Sequence, residues 1–158
     1  MSTAMTLQIN STSSAATEQF AEQLGRKLRG GEVVELVSDL GGGKTTFTRG
    51  LVRGAGSSDK VASPTFTISR EYQAPQFTIA HFDFYRLGEA GIVADELSEL
   101  IGDPHYVTVV EWGDIVHDVL PEKRLTVQIN QTGEEARSLT FAYPEELAYL
   151  VEDLQLLY

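Results

Sequence analysis

Apolar positions along the chain change their period several times, and each change marks a new element. The run from Thr6 to Ile9 predicts a short strand. In SSAATEQFAEQLGRKL, Phe20, Leu24 and Leu28 recur at a four-residue spacing, which gathers them on one face of a helix. Ser13, Ser14 or Thr17 can cap its start, and Gly30-Gly31 stops it. VVELV, Val33 to Val37, is a short and mostly apolar strand. Glu35 sits inside it, where an apolar residue would be more comfortable, so partial exposure of that strand is expected. A glycine-rich loop follows, and from Lys44 a helix carries Phe47, Leu51 and Val52 before ending near Gly54-Ala55-Gly56.

Further along, PTFTISREY and FTIAHFDFY are two β-rich runs separated by QAPQ, which predicts a hairpin or adjacent strands. VADELSELIG reads as a short helix with Gly102 as its stop, and YVTVVEW as another strand. LTVQIN and RSLTFAY form a second β pair joined by the polar QTGEEA. A last helix is expected from Pro144, with Glu145 and Glu146 in its first turn and Tyr149, Leu150, Leu154 and Leu157 on its apolar side. The alternation of strands and helices predicts one α/β domain with a parallel core, and the hairpin-like pairs make the sheet mixed.

Length fits this picture, since 158 residues suffice for one domain with a substantial core and not for two. The absence of cysteine excludes a disulfide framework and a thiolate metal site, and is compatible with a reducing cytoplasm. No signal peptide and no membrane span is expected from the hydropathy pattern. Charge changes the picture more. The net charge is −11 and the basic residues are scattered, whereas a protein that grips nucleic acid unaided usually carries a basic patch. Arg26, Lys27 and Arg29 come nearest to a cluster, and they read as charges near a helix C-terminus. Any service to a nucleic acid is therefore expected to run through a partner.

The candidate chemistry lies between Val37 and Phe47. The template G-x-x-x-x-G-K-[ST] fits Ser38 to Thr45, with Gly43, Lys44 and Thr45 in register. In such a loop successive backbone N–H groups wrap an anion, the following helix points its positive end at it, and the lysine neutralises the β- and γ-phosphates. The threonine hydroxyl is placed to bind Mg²⁺. Asp39, Gly41, Gly42, Gly43, Lys44, Thr45 and Thr46 are the nucleotide-binding candidates. Ser38 replaces the first glycine and meets a steric penalty if the backbone there needs a positive φ. The bland alternative is a glycine-rich turn with a chance lysine.

Three further stretches accompany DLGGGKTTFTRG: SPTF at Ser63 to Phe66, HFDFYR at His81 to Arg86, and VVEW at Val109 to Trp112. In order and spacing the four resemble the TsaE family, formerly YjeE, from about Glu32 to Trp112 and more loosely to the C-terminus. These are small bacterial ATPases needed to make threonylcarbamoyladenosine in tRNA. The resemblance implies a P-loop NTPase-like three-layer α/β fold with a mixed, mainly parallel central sheet, filling residues 1–158 as one domain. It implies ATP and Mg²⁺ as cofactors, TsaD and TsaB as protein partners, tRNA reached indirectly through that complex, no membrane, and a cytoplasmic location.

The resemblance also assigns roles. Glu111 matches the magnesium-binding glutamate, with Thr45 as the second protein ligand. Asp83 matches an active-site aspartate that either orients the attacking water or acts through a water on Mg²⁺. Strand alternation independently puts His81 and Asp83 on one face and Phe82 and Phe84 on the other. Thr65 lies where switch I does, to sense the γ-phosphate or complete the metal shell; otherwise SPTF is a capped turn. Lys44, Asp83 and Thr65 are thus the catalytic candidates. Ser14 and Arg137 flank the adenine by the same resemblance. His81 is a structural or a site histidine, Arg86 an ion-pair partner or a charge stabiliser, and Trp112 a core aromatic or a contact for the switch or a partner. Two other functions fit a P-loop of this size: a small-molecule kinase, though no arginine-rich lid segment is visible, and a nucleotide-binding module without catalysis.

Overall fold

The apolar runs read from the sequence become the middle of one sheet. The computed structural model describes residues 4–38, 43–62, 69–84, 91–112 and 117–155, the side chains of 91–93 excepted. In chain order these form β1 (Met5–Ser11), α1 (Ser14–Arg26), β2 (Val33–Val37), α2 (Lys44–Gly54), β3 (Ser69–Gln73), β4 (Thr78–Asp83), α3 (Gly91–Leu100), β5 (Tyr106–Glu111), β6 (Leu125–Gln131) and β7 (Arg137–Tyr143), followed by a 3₁₀ helix at Glu145–Leu150. The described strands lie in the order β1-β7-β6-β2-β5-β4-β3. β6, β2, β5 and β4 run parallel. β7 and β1 extend one side antiparallel, and β3 closes the other by an antiparallel hairpin with β4.

Alternation along the central strands produces three layers. Val34, Leu36, Val107, Val109, Val127 and Ile129 pack with Phe20 and Leu24 of α1 and with Phe47 and Leu51 of α2. On the opposite face Val33, Ala80, Phe82 and Val110 pack with Leu97 of α3 and with Leu120. The fold is the expected P-loop-like α/β arrangement, with a mixed sheet that is parallel at its centre.

α1 buttresses α2 at unusually short range. A Cβ on Gly50 would lie 2.4 Å from the Glu18 carbonyl oxygen, and one on Gly54 would lie 2.0 Å from that of Glu22. Glycine at these positions lets the two backbones meet. The rim of the contact is charged: Arg49 pairs with Glu18 at 2.9 Å, and Arg53 with Glu18 at 3.2 Å and Glu22 at 3.0 Å.

Three expectations need correction. α1 is capped by Ser13, whose Oγ accepts from the Ala16 N–H at 3.1 Å, but it ends at Arg26, ahead of Gly30-Gly31. The reason is Glu32. Its carboxylate accepts from the backbone N–H of Arg29 at 2.8 Å and of Gly30 at 2.7 Å, taking donors that a longer helix would turn inward. The final helix is 3₁₀ and not α. Leu147 N–H donates to the Pro144 carbonyl and Val151 N–H to that of Ala148, both at three-residue spacing. It buries Leu147, Ala148 and Leu150, while Leu157 lies outside the described residues. Glu35 does not expose β2: it is 7% exposed in a central strand, where Arg124 Nε and Thr126 Oγ1 each donate to its carboxylate at 3.1 Å. A buried carboxylate is tolerated when it is paired in this way.

The three basic residues near the end of α1 do not form a patch. Arg26 pairs with Glu22 at 2.7 Å, Lys27 lies 3.9 Å from Asp153, and the Arg29 guanidinium stacks 3.8 Å from the Tyr149 ring centroid. No described helix is long and apolar enough to cross a membrane.

Candidate functional site

Parallel strands present their carboxyl ends on one edge of the sheet, where α/β proteins place their sites. Here β2 ends at Val37, β5 at Glu111 and β4 at Asp83. Sheet register sets Glu111 beside Leu36 on one side and beside Asp83 on the other. α2 begins at the same edge, so its free N–H groups and positive dipole end point into the space above the strands.

Gly43 supplies the entry to α2. Its φ is +109°, a conformation that side-chain-bearing residues rarely adopt, and a Cβ there would lie 3.5 Å from Arg137 Nε. Lys44 follows as the first helical residue and is buried. Its Nζ donates to the Ser38 carbonyl and contacts the Ser38 hydroxyl, both at 3.2 Å, and lies 4.5 Å from the Trp112 ring centroid. The ammonium is thus held at the strand ends by a carbonyl, a hydroxyl and an aromatic face. Among the described residues Trp112 is the one non-glycine with positive φ, at 57°. Ser38 therefore avoids the strain that a serine at a left-handed position would carry. Its hydroxyl instead becomes a partner of the loop lysine.

Glu111 is 3% exposed and His81 is 0% exposed. The His81 Nε2–H donates to Glu111 Oε2, while His81 Nδ1 has no hydrogen-bond partner among the described residues. The Tyr72 ring lies 6.2 Å from the imidazole, centroid to centroid, and its hydroxyl donates to the Ala62 carbonyl at 3.0 Å. Burial pushes the Tyr72 phenol above its ordinary range. Phe82 and Phe84 go to the opposite face, stacked with centroids 5.9 Å apart, as the alternation predicts.

Ser14 and Arg137 come to the β6 side of the same edge. Ser14 Oγ donates to Glu135 Oε1 at 3.4 Å, and Arg137 Nη1 donates to the Ala136 carbonyl at 2.8 Å while its Nε neighbours Gly43. The sequence candidates Gly43, Lys44, Thr45 and Thr46 thus share the start of α2, with Asp83 and Glu111 on adjoining strand ends and Ser14 and Arg137 at the flank. Asp39, Gly41, Gly42 and Thr65 lie outside the described residues, as does Arg86. Sequence reasoning missed two contacts: the Lys44–Trp112 stack, and the closed His81–Glu111 pair. Their one signal was that both pairs fall within the matched motifs.

The donor set is one of oxygens. Among the described residues no three His, Cys, Asp or Glu side chains gather into a metal cage. Glu111 and Thr45 suit a hard cation that draws its other oxygens from phosphates and water.

The family profile described as "Threonylcarbamoyl adenosine biosynthesis protein TsaE" matches residues 11–139. The tRNA threonylcarbamoyladenosine biosynthesis protein TsaE of Bacillus subtilis is 36% identical over 129 residues, covering 79% of this chain and 78% of its own length. The protein of the same name from Treponema pallidum is 34% identical over 132 residues, covering 84% and 97%. The crystal structure of Bacillus subtilis YdiB superposes with a TM-score of 0.76 at 30% identity, covering 98% of this chain and 97% of that one. Matched over most of its length in sequence and nearly all of it in structure, the chain belongs to the TsaE family of threonylcarbamoyladenosine biosynthesis proteins.

Proposed function

We propose that this protein, over residues 1–158 as one domain, binds Mg-ATP between β2 and α2 and hydrolyses it. Hydrolysis resets a cytoplasmic TsaB–TsaD complex between rounds of threonylcarbamoyl transfer to tRNA. The observation that carries this reading is Lys44, a buried ammonium on the first residue of α2, beside a strand that ends in the buried acid Glu111. A buried ammonium at a helix start, beside the carboxyl ends of parallel strands, suits a site that receives phosphate.

Each residue then has a role. Lys44 exchanges Ser38 and the Trp112 face for the β- and γ-phosphates. The backbone N–H groups from Gly41 to Thr46 wrap the phosphates, with Asp39 at the loop's start. Thr45 and Glu111 would hold Mg²⁺, which supplies positive charge to the phosphoryl group in transfer. Asp83, side by side with Glu111 in the sheet, orients the attacking water, and Thr65 meets the γ-phosphate. Ser14 and Arg137 flank the base. The net charge of −11 supports contact with tRNA through the protein partners and not directly.

The test is threonylcarbamoyl transfer to tRNA by purified TsaB–TsaD under multiple-turnover conditions. Adding this protein with ATP is expected to sustain turnover, and Lys44→Ala to abolish that effect. Turnover that is indifferent to the protein, or equally supported by Lys44→Ala, would contradict the proposal.

A further inference from the structure

His81 is an anomaly of composition within its layer. It lies on the face of β4 shared with Ile79, and its register partner on β5 is Val109, both fully buried apolar residues. An imidazole with no exposed surface and no partner for Nδ1 lowers stability there relative to an aliphatic side chain. Its other nitrogen explains why it stands there. Nε2 reaches diagonally along the sheet to Glu111 Oε2, two residues beyond its own register partner. An ionised carboxylate only accepts, so Nε2 carries the hydrogen and Nδ1 is the bare nitrogen.

We infer that His81 is a positioning residue, which fixes the Glu111 carboxylate so that Oε1 is presented toward the metal. The inference rests on the reading of Glu111 as a magnesium ligand. Carboxylates that bind metals are commonly held by a second hydrogen bond, and losing such a bond typically costs at least about tenfold in metal affinity. The hydrogen bond commits one carboxylate oxygen and the rotamer, and it leaves the other oxygen for the ion. Tyr72 walls the imidazole on the hairpin side and anchors through Ala62 to the chain just before SPTF. The histidine is thereby seated by β3 as well as by its own strand.

Two amide substitutions separate this role from simple packing. In His81→Gln the side-chain NH₂ reaches the place of Nε2 and can still donate to Glu111. In His81→Asn it stops at the place of Nδ1 and cannot. Affinity for a non-hydrolysable ATP analogue is measured by calorimetry in EDTA and across a Mg²⁺ titration, with a thermal melt to confirm folding. His81→Asn is expected to raise the Mg²⁺ concentration for half-maximal tightening about tenfold, with affinity in EDTA within about twofold of wild type. His81→Gln is expected to stay within about threefold of wild type in both. An unchanged Mg²⁺ requirement in His81→Asn, or equal shifts in both variants, would overturn the inference. If His81→Asn does not fold, His81→Gln decides alone: a Mg²⁺ requirement tenfold above wild type would overturn it. A wild-type protein that binds the analogue equally well with and without Mg²⁺ would overturn the metal reading itself, and this inference with it.

Discussion

At the scale of single residues, Ser38 departs most clearly from the phosphate-loop template, and its effect is electrostatic and not steric. Its carbonyl and hydroxyl both contact Lys44 Nζ at 3.2 Å. In the proposed reading, phosphate draws the ammonium away from them. A hydrogen bond of this kind has a net worth of about 1 kcal/mol, so removing the hydroxyl should favour the phosphate-bound state by about fivefold. Ser38→Ala is therefore expected to bind Mg-ADP about fivefold more tightly in calorimetry, and weaker binding would show that the hydroxyl serves the bound state. Residue placement was legible where the pattern is local: Gly43, Lys44 and Thr45 are consecutive, and their pattern encodes a helix start with a cation. Glu35 was misread because its partners, Arg124 and Thr126, are some 90 positions away. No window of the sequence reveals that a buried acid will find them. His81 and Glu111 are separated by 30 positions and were hidden in the same way.

At the scale of elements, the site depends on how α2 is held. Its N-terminus carries Gly43 and Lys44, and its far half is clamped on α1 through Gly50 and Gly54. Gly50→Ala sets two effects against each other. Alanine is favoured in a helix by about 1 kcal/mol. The added carbon would lie 2.4 Å from a backbone oxygen that cannot rotate away, and overpacking of that sort costs about 1–3 kcal/mol. Sterics should win, and Gly50→Ala is expected to lower the melting temperature by several degrees; an unchanged or higher value would mean that the helices separate freely. Strand and helix existence was readable from periodicity, as α2 and β2 show. The end of α1 and the 3₁₀ character of Glu145–Leu150 were not: both turn on which nearby acceptor a backbone N–H takes, the Glu32 carboxylate in one case and a carbonyl three residues back in the other, and apolar periodicity does not report that choice. The Tyr149 hydroxyl donates to Glu32 at 2.6 Å, joining the final helix to the loop after α1.

At the scale of the whole molecule, the topology converts four parallel strands into one functional edge. A mixed sheet with a parallel core was legible. The strand order was not, since β1 pairs with β7 from the other end of the chain and β6 inserts beside β2. That order matters for the proposed site: it brings the Gln131–Arg137 turn and the start of α1 to the flank of Gly43. The chain is acidic overall, with a net charge of −11, and the described basic residues at the end of α1 are paired or stacked. That fits the proposed role of a nucleotide-driven accessory that reaches tRNA through protein partners. The most direct measurement is ATP hydrolysis by the purified protein with and without TsaB–TsaD, and with Lys44→Ala as control. The account predicts slow hydrolysis alone, strong stimulation by the complex, and loss of both in the mutant. Nucleotide binding without turnover in either condition would contradict it.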